Sequence, residues 1–427
     1  MKKSTILIAL AFAAFGGTLQ AQQTLSLSLD QAQQYAIEHS KTIQNASLDV
    51  QKAEAAKWEA ISSMLPQVKT SFDYQNMCGY AMNMTGFSIP MNPNGTFGVQ
   101  ASIALTGQQI IGALISKIST EMSDITLRQS EQSTRSSVKG LYTSILVMEK
   151  TVELLDSNLF NMQRLEASTN EAVRVGASEQ VDADKFAVTV AQLRTSINAT
   201  KRSLSMLYNS LKLQLGMNVN DNIVLTDKVD GLLDVNTAAN TINQGFELDN
   251  NYSYQLLKKS EELAKQNVTM AWMKFTPTLS TYYQYSKKTY FGKNEGFNMT
   301  PPNMVGASVS LPLWSTGSRA ASVKQAKIDL EKMQNTKQQT EDALLVQYDQ
   351  LKYNLVSAIE SYRIQDANLD VSRRVFDNVS EKYKYGRASS LEVTNASSDL
   401  ISAQSSYIQA VMEVINAQTA LEDLINQ

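Results

Sequence analysis

The chain has 427 residues, a formal net charge of −3, one cysteine and one histidine. This length allows two or three ordinary domains, and the slightly acidic balance excludes the strongly basic surface typical of nucleic-acid-binding proteins. A lone cysteine cannot form an intrachain disulfide, and one Cys with one His cannot supply the ligand cluster of a zinc or haem site. The composition therefore predicts no cofactor and no nucleic-acid partner.

Residues 1–21 have the pattern of a secretory signal peptide. Lys2 and Lys3 precede a short apolar run, and Ala21 offers a small residue before the cut. The run is too short to span a membrane as a helix, and no later segment approaches the roughly 18 apolar residues that a span requires. The sequence predicts an exported chain that does not cross a membrane as a helix.

A helix predicted from Leu25 to about Pro66 is followed by two strands. The apolar period changes to two residues after Pro66, which predicts strands at about 67–76 and 96–106. The segment between them, 77–96, is rich in Met, Asn, Gly and Pro and is predicted to be a loop. The apolar strand face consists of Val68, Thr70, Phe72, Tyr74, Phe97, Val99, Ala101, Ile103 and Leu105.

A long helical hairpin completes the first half of the chain. Helical spacing runs through about 108–216, and Gly176 is the predicted tip between two antiparallel helices. A polar segment with weaker periodicity follows, which predicts a connector. Residues 231–250 of this connector are assigned to the second half of the chain. The first structural repeat is therefore assigned to residues 22–230.

Residues 231–427 repeat this order of elements. Strands are predicted at about 278–287 and 304–314, followed by a hairpin at 318–427 with its tip at Gly386. The first helix of this hairpin contains neither Gly nor Pro and would reach about 100 Å. Its apolar residues step by four and three, which is the spacing of a coiled coil.

Landmarks of the two halves recur at a nearly constant distance. Pro66, Gly98 and Gly176 have counterparts about 210 residues later in Pro277, Gly306 and Gly386. Each half reads helix, strand, loop, strand, long helix, glycine, long helix. The predicted fold class is mainly α with a small β part, built as two tandem repeats with long antiparallel coiled-coil hairpins.

The four strands have the features of transmembrane β-strands. They are about ten residues long, apolar on one face and aromatic at their ends, as in outer-membrane barrels. The alternative is that both strand pairs are soluble hairpins packed on helices. If the strands span a membrane, four of them cannot close a barrel, because membrane barrels begin at eight strands and lipid does not tolerate open edges. Several chains must then share one barrel.

Short motifs in a fixed order point to a family. They are Leu25–Ala32, Leu65-Pro66-Gln67-Val68, Ser310-Leu311-Pro312-Leu313-Trp314 with Gly317, and Tyr383-Lys384-Tyr385-Gly386 followed by Ser389 and Leu391. With these motifs the chain resembles the TolC-like outer-membrane efflux protein family over essentially all of its mature sequence. Ser40-Lys41 stand where that family often has Asn-Pro, a departure that affects a helix start.

The resemblance implies a homotrimer in the outer membrane, with its helical part in the periplasm. Three chains would give four strands each to a shared twelve-strand barrel in contact with outer-membrane lipid, and their helices would continue it as an α-barrel. Loops 77–96 and 288–303 would face outside. The implied function is the exit duct of a tripartite efflux or type I secretion system. A periplasmic membrane-fusion adaptor would connect it to an inner-membrane pump of RND, ABC or MFS type.

The resemblance also implies a gate at the periplasmic tips. The family has an acid six residues after each tip glycine, matched by Asp182 and Glu392, and a tyrosine three residues before the second glycine, matched by Tyr383. Repeated by threefold symmetry, these acids form a negative ring that favours cations. Asn395 replaces a further lumenal acid, so the ring carries less charge. We predict that Tyr383 and Arg387 hydrogen-bond Asp182 across neighbouring hairpins, although the family's arginine usually lies one residue later.

The tips are also where the family docks its adaptor. The residues matched to that role are Val175, Gly176, Ser178, Tyr385, Gly386 and Ser389. A duct needs a wall and a gate but no reaction chemistry. Asp182 and Asp184, two residues apart on a helix, point to different faces and do not form a catalytic pair. The sequence therefore predicts that the protein is not an enzyme.

Two other functions fit part of the pattern. A structural or adhesive trimeric coiled coil would explain the long helices, but it predicts one continuous stalk with a single membrane anchor. A self-standing porin would have many strands and few helices. The duplicated strand pairs count against the first alternative and the helical content against the second. The exported substrate stays open.

Overall fold

The computed structural model describes residues 24–229, 235–291 and 301–426. The predicted signal peptide, part of the predicted connector and part of the loop 288–303 lie outside these described residues. In chain order the elements are β1 (Thr24–Leu27), α1 (Leu29–His39), α2 (Lys41–Ser62), β2 (Gln67–Gln75), β3 (Ala81–Met84), β4 (Phe87–Pro90), β5 (Asn94–Leu105), α3 (Gly107–Arg174), α4 (Gln180–Leu215), β6 (Asn222–Leu225), α5 (Val235–Ile242), a 3-10 turn (Leu248–Asn250), α6 (Tyr252–Met273), β7 (Thr278–Tyr290), β8 (Asn303–Ser310), α7 (Ser318–Lys384) and α8 (Ser390–Ile425).

Two long antiparallel hairpins dominate the fold. Helix α3 has 68 residues and packs on α4, while α7 has 67 residues and packs on α8. A capping box starts α3: the Thr106 hydroxyl accepts from the Gln109 N–H, and the Gln109 side chain accepts from the Thr106 N–H. At 1.5 Å per residue each long helix reaches about 100 Å. The mainly helical, two-repeat fold class predicted from the sequence is confirmed.

Strands of both repeats join one antiparallel sheet in the order β2-β5-β7-β8. Residues opposite each other across a ladder point to the same side, as Phe72 and Phe97 do between β2 and β5, and Tyr283 and Val305 between β7 and β8. This register unites the apolar positions of all four strands on one exposed face. The other face carries mainly polar side chains, among them Lys69, Gln100, Ser280, Gln284 and Ser308.

Four local features differ from the sequence-based prediction. The helix predicted from Leu25 to about Pro66 is divided at Ser40 into α1 and α2, and β8 ends at Ser310 rather than at about 314, before Pro312, which has no N–H to donate. Residues 24–27 form a strand, β1, that pairs in parallel with β6, and helix α1 begins only after the Ser28 cap. Within the predicted loop 77–96, β3 and β4 form a short antiparallel hairpin. Parallel pairing between residues about 200 apart leaves no local pattern, and four-residue strands are too short for a period of two to be recognised.

Tyr142 ties the paired strands β1 and β6 to helix α3. Its side chain is fully buried, and its hydroxyl oxygen lies 2.9 Å from both the Leu27 carbonyl oxygen and Asp227 Oδ2. The Leu29 N–H donates to the same carboxylate oxygen at 2.8 Å. Burial raises the pKa of Tyr142 to about 12, so the phenol remains a hydrogen-bond donor at neutral pH. The surrounding core includes Ala32, Ala36, Val138, Leu211, Leu215 and Val411.

We predict that Gly216→Ala destabilises the fold strongly. Gly216 ends α4 with a φ of 74°, and a Cβ there would overlap the His39 carbonyl oxygen. Left-handed strain of roughly 1–3 kcal/mol adds to that overlap, so the free energy of unfolding should fall by more than about 2 kcal/mol. The matched control is Gly140→Ala inside α3, where, apart from the helix's own neighbouring backbone, no described atom lies within 4 Å of the new Cβ. It should stabilise by up to about 1 kcal/mol. Urea unfolding followed by circular dichroism compares the two, and equal shifts would contradict the prediction.

Tyr142→Phe should lower the free energy of unfolding by about 1–3 kcal/mol, because the Leu27 carbonyl and the Asp227 carboxylate lose a buried donor. Since the folded-state pKa of the phenol is raised to about 12, its stabilising contribution is present below its unfolded pKa and is lost as the pH rises towards 12. Chemical unfolding across the alkaline range should therefore show a weaker pH dependence in the variant. The exposed Tyr353→Phe is the control, and an unchanged alkaline slope in Tyr142→Phe would refute the assignment.

A candidate functional site at the hairpin tips

Two glycine turns form the free ends of the hairpins. Gly176 and Gly386 have φ values of 77° and 66°, which glycine adopts without Cβ strain. In both turns the residue after the glycine, Ala177 or Arg387, donates its N–H to the carbonyl oxygen five residues earlier, at 2.8 Å and 2.9 Å. The two tips therefore have the same backbone geometry, as the internal repeat requires.

Asp182 and Glu392 occupy the same position, the third residue of α4 and of α8. Ser389 caps α8 by accepting the Glu392 N–H at 3.2 Å, whereas Glu179, at the cap of α4, makes no side-chain bond of this kind. Acidic side chains in a first helical turn are stabilised by the positive end of the helix dipole. The Glu392 side chain is exposed, whereas Asp182 is partly buried between the tips.

Asp182 links the two hairpins. Its Oδ1 accepts from the Ser390 hydroxyl on α8, and Lys185 Nζ lies 3.4 Å from the same oxygen. Lys185 also donates to Ser390 Oγ at 3.3 Å, so these three residues, which we call the tip contact, bond to one another. The Ser390 hydrogen bond, opposed by partial burial and assisted by Lys185, holds the pKa of Asp182 below its usual value. The carboxylate is therefore ionised throughout the neutral range.

Tyr383 makes a second connection between the hairpins. Its hydroxyl lies 2.8 Å from Thr169 Oγ1 on α3, and its ring packs edge-on against Phe186 of α4 with centroids 5.5 Å apart. The phenol therefore joins α7 to both helices of the first hairpin. Sequence reasoning identified Tyr383 but missed Thr169, for which no motif gave a signal.

The hydrogen bonds predicted from Tyr383 and Arg387 to Asp182 are not formed within the chain. Asp182 bonds to Ser390 and Lys185 instead, and the Tyr383 hydroxyl is held by the opposite helix. The Arg387 side chain is exposed, and among the described residues it has no hydrogen bond or ion pair. Serine in the first turn of α8 lies closer to the carboxylate than either predicted donor. The two bonds stay a prediction for contacts between chains.

The large residues predicted to dock a partner are exposed at the ends of the tips. Val175 and Tyr385, each directly before a glycine, are 68% and 71% exposed. Ser178 is half-buried because its hydroxyl bonds inward. Val181, and Leu391 of the family motif, were not among the predicted docking residues, although both are exposed and apolar at matching positions in the first turns of α4 and α8. The available signal was their separation of about 210 residues, the period of the repeat.

The two hairpins are packed together directly above the tips. A buried amide pair, Asn158 Nδ2 donating to Gln404 Oε1 at 2.6 Å, joins α3 to α8 farther from the tips. Separating these amides in an apolar interior would cost about 1–3 kcal/mol for each unpaired group. The apolar cluster between this pair and the tips consists of Met162, Leu165, Phe186, Val190, Leu193, Phe376, Val393, Ala396 and Leu400.

A groove of about 920 Å³ lies between the tips, and its lining includes Ser178, Asp182, Glu381, Tyr383, Lys384 and Ser390. These side chains offer charge and hydrogen bonds. Within the described parts of the chain, no three His, Cys, Asp or Glu side chains are grouped so that they could hold a metal ion. The described helices include none that is long and apolar enough to cross a membrane.

A four-stranded sheet with one apolar face, continued by two long hairpins with matching glycine tips, defines one chain of a TolC-type outer-membrane channel. The structure of CusC aligns with a TM-score of 0.77 and 16% identity, covering 93% of this chain and 91% of that one. The Campylobacter jejuni CmeC outer membrane channel aligns with a TM-score of 0.77 and 16% identity, covering 93% and 85%.

The profile of the outer membrane efflux protein family matches residues 32–217 and 247–427, and the chain belongs to this family. One relative, the outer membrane efflux protein BepC of Brucella suis biovar 1 (strain 1330), is 21% identical over 422 residues, which cover 97% of this chain and 89% of BepC. The resemblance seen in the sequence motifs is confirmed. So is the outer-membrane localisation, with the helical part in the periplasm.

Ser390→Ala tests the tip contact. The variant removes the main hydrogen bond to Asp182, so hydrogen exchange corrected for pH should accelerate about five- to tenfold in the first turns of α4 and α8. Because the pKa of Asp182 is lowered, the wild-type contact should persist down through mildly acidic pH and weaken only as the pH falls through that folded pKa. The exposed Ser398→Ala, two turns farther along α8, is the control. Unchanged tip exchange in Ser390→Ala would show that the contact does not hold the hairpins together.

Proposed function

We propose that this protein is the exit duct of a tripartite efflux or type I secretion system, conducting substrate passively from the periplasm to the exterior. The observation that carries the proposal is a sheet with an exposed apolar face and with β2 and β8 as its edges, in a chain of the outer membrane efflux protein family. Exposed apolar faces and strand edges are surfaces that associate, here with lipid and with further copies of the chain.

A homotrimer accounts for both the face and the edges. Pairing β8 of one chain with β2 of the next joins three sheets into a barrel of twelve strands. Strands β5 and β7 have 12 and 13 residues, which is enough for the roughly 9–11 residues of a tilted crossing. The apolar face then meets lipid, and the polar face lines a wet lumen. On that face the hydroxyl oxygens of Ser280 and Ser308 lie 2.7 Å apart.

The tips are suited to act as a gate. Three copies of Asp182 and Glu392 around one axis give a ring of negative charge that favours cations over anions. Tyr383 and Arg387 are proposed to bond Asp182 across the boundary between chains, in addition to the contacts within each chain. A charge-assisted hydrogen bond contributes about 1.5–3 kcal/mol, which favours the closed state of a two-state gate by an amount that the binding of a partner can overcome.

The same tips are proposed to dock a periplasmic membrane-fusion adaptor. The exposed Val181 and Leu391 add apolar surface to the residues already matched to this role, Val175, Gly176, Ser178, Tyr385, Gly386 and Ser389. Through the adaptor, an inner-membrane pump of RND, ABC or MFS type supplies the energy. The duct itself carries out no catalysis.

The structural or adhesive alternative has less support. A stalk with a single anchor needs one strand pair, whereas the strands of both repeats form one continuous sheet here. A self-standing porin does not account for hairpins of about 100 Å on each chain. Both alternatives are separated from the exit duct by the conductance measurement below.

Single-channel conductance in a planar bilayer tests the proposal. The wild-type protein should give small, mostly closed, cation-preferring steps. Asp182→Ala combined with Tyr383→Phe should increase the open fraction by about tenfold, because roughly 1.4 kcal/mol or more of closing interaction is removed. Asp184→Ala is the matched control, since within the described part of the chain this exposed acid on α4 bonds only to Gln180 of its own helix.

The outcomes separate the candidate functions. Large and permanently open wild-type steps would favour a porin. No insertion from a well-folded oligomer would favour the structural coiled coil. If the double variant and Asp184→Ala both behave as wild type, the exit duct stands but the gate is not formed by these residues.

A further inference from the structure

The junction between strands and helices in the second repeat is strongly basic. The sequence contains no Asp or Glu from 263 to 291 or from 296 to 328. The cations in this region that lie within a few turns of the junction are Lys274, Arg319, Lys324 and Lys327, which we call the cationic rim. They lie at the end of α6 and in the first three turns of α7.

The first repeat carries less of this charge. Helix α7 starts 211 residues after α3, and at that offset the equivalents of the four rim residues are Ser63, Gln108, Ala113 and Ser116. None of these is ionisable, although one lysine, Lys117, lies beside the last of them. Because the backbone pattern is duplicated and most of the charge is not, the helical fold does not require these cations.

Three of the rim cations are held in place by neighbouring side chains. The Arg319 guanidinium lies 5.8 Å from the Phe275 ring centroid and donates to the Pro312 carbonyl oxygen at 2.6 Å. Lys327 Nζ lies 5.8 Å from the Trp272 ring centroid. Lys274 donates to Ser322 Oγ at 2.7 Å. A guanidinium has five N–H donors and an ammonium has three, so each cation keeps donors for a ligand.

An exposed apolar band formed by Trp272, Leu313 and Trp314 borders the cationic rim. Leu313 and Trp314 lie on the strand side, between β8 and α7, and are 85% and 84% exposed, whereas the exposed Trp272 side chain lies in the last turn of α6. Tryptophan beside lysine and arginine is the composition of proteins at a membrane surface, where the ring lies at the headgroup level and the cation reaches the phosphates. The band therefore marks the periplasmic edge of the hydrocarbon layer.

The direction of α7 aims the cations at that edge. The helix begins at the junction and runs away from it, and Cα–Cβ bonds tilt towards a helix N-terminus. Lys324 and Lys327 therefore lean towards the membrane. From Arg319 to Lys327 the helix rises by about 12 Å. Flexible lysine side chains extend towards the membrane, so the charged groups span less than this and approach the roughly 5–8 Å thickness of one headgroup layer.

We propose that the cationic rim binds the phosphate groups of anionic phospholipids in the periplasmic leaflet of the outer membrane. The proposal rests on the membrane orientation of the proposed duct. The phosphates complement cations that lie in chain segments without acidic residues, and the acyl chains cover the band formed by Trp272, Leu313 and Trp314. In a trimer the rim would occur three times, and each copy would fix the height of the barrel in the membrane.

Quenching of tryptophan fluorescence tests the lipid assignment. The chain has three tryptophans, so Trp58→Phe leaves Trp272 and Trp314 as the reporters. In detergent micelles at low salt, phosphatidylglycerol that carries a nitroxide on an acyl chain should quench the tryptophan fluorescence at a lower lipid fraction than phosphatidylcholine with the same label. Each cation that contacts a phosphate should increase the preference for phosphatidylglycerol over phosphatidylcholine about fivefold, and added salt should reduce this preference. Lys274→Gln with Lys324→Gln and Lys327→Gln should lower the preference by at least about tenfold.

Controls keep the result specific to the rim. Lys332→Gln, an exposed lysine beside Glu331 on the same helix, should retain the preference for phosphatidylglycerol. Equal quenching by both lipids in the wild-type rim would overturn the proposal, as would a preference that survives the triple variant. Absence of quenching by either lipid would mean that another chain covers the rim, which overturns it too. Conductance recorded on the same samples tests the duct separately, since the triple variant should conduct as the wild-type protein does.

Discussion

The pairing of backbone groups at the edges of a membrane sheet is the constraint on which the rest of this structure depends. Strands β2 and β8 end the four-stranded sheet, and in lipid their N–H and C=O groups need partners that one chain does not supply. The proposed repetition around a threefold axis supplies these partners without lengthening the chain. In the proposed trimer, the large strand residues that are exposed on the single chain have lipid and adjoining copies as neighbours rather than a core of their own.

The buried apolar side chains lie where the two hairpins meet each other and the connector strands. Tyr142 and its neighbours join the connector strands to α3, and a second cluster around Phe186 and Val393 joins the hairpins above the tips. Between these clusters, α3 packs against α8 through contacts such as Asn158 with Gln404. Long helices with separate small cores have unequal local stability, and the tips, stabilised mainly by polar contacts, are the segment that opens at lowest cost.

The sequence was informative where the signal is local. Proline and glycine at Pro66, Gly176 and Gly386 marked the element boundaries, and the period-two strands were recognised because each exceeds seven residues. Strand β1 was predicted as helix, since its partner β6 lies about 200 residues away. The tip acid Asp182 was found by its spacing from glycine. Its partner Ser390 was not, because which side chains meet across two hairpins depends on their relative rotation, and that rotation has no local pattern.

The chemistry of the tip contact limits how a gate at this position can be operated. The pKa of Asp182 is lowered by Ser390 and Lys185, so proton uptake near neutral pH does not release the carboxylate. Thr169 and Tyr383 add a hydrogen bond between two hydroxyl groups. The proposed gate is instead expected to open when a ligand binds the separated tips more tightly than the joined ones, with a differential affinity that exceeds the energy of these few bonds. The exposed Val175, Val181, Tyr385 and Leu391 surround the contact and offer such a ligand its apolar surface.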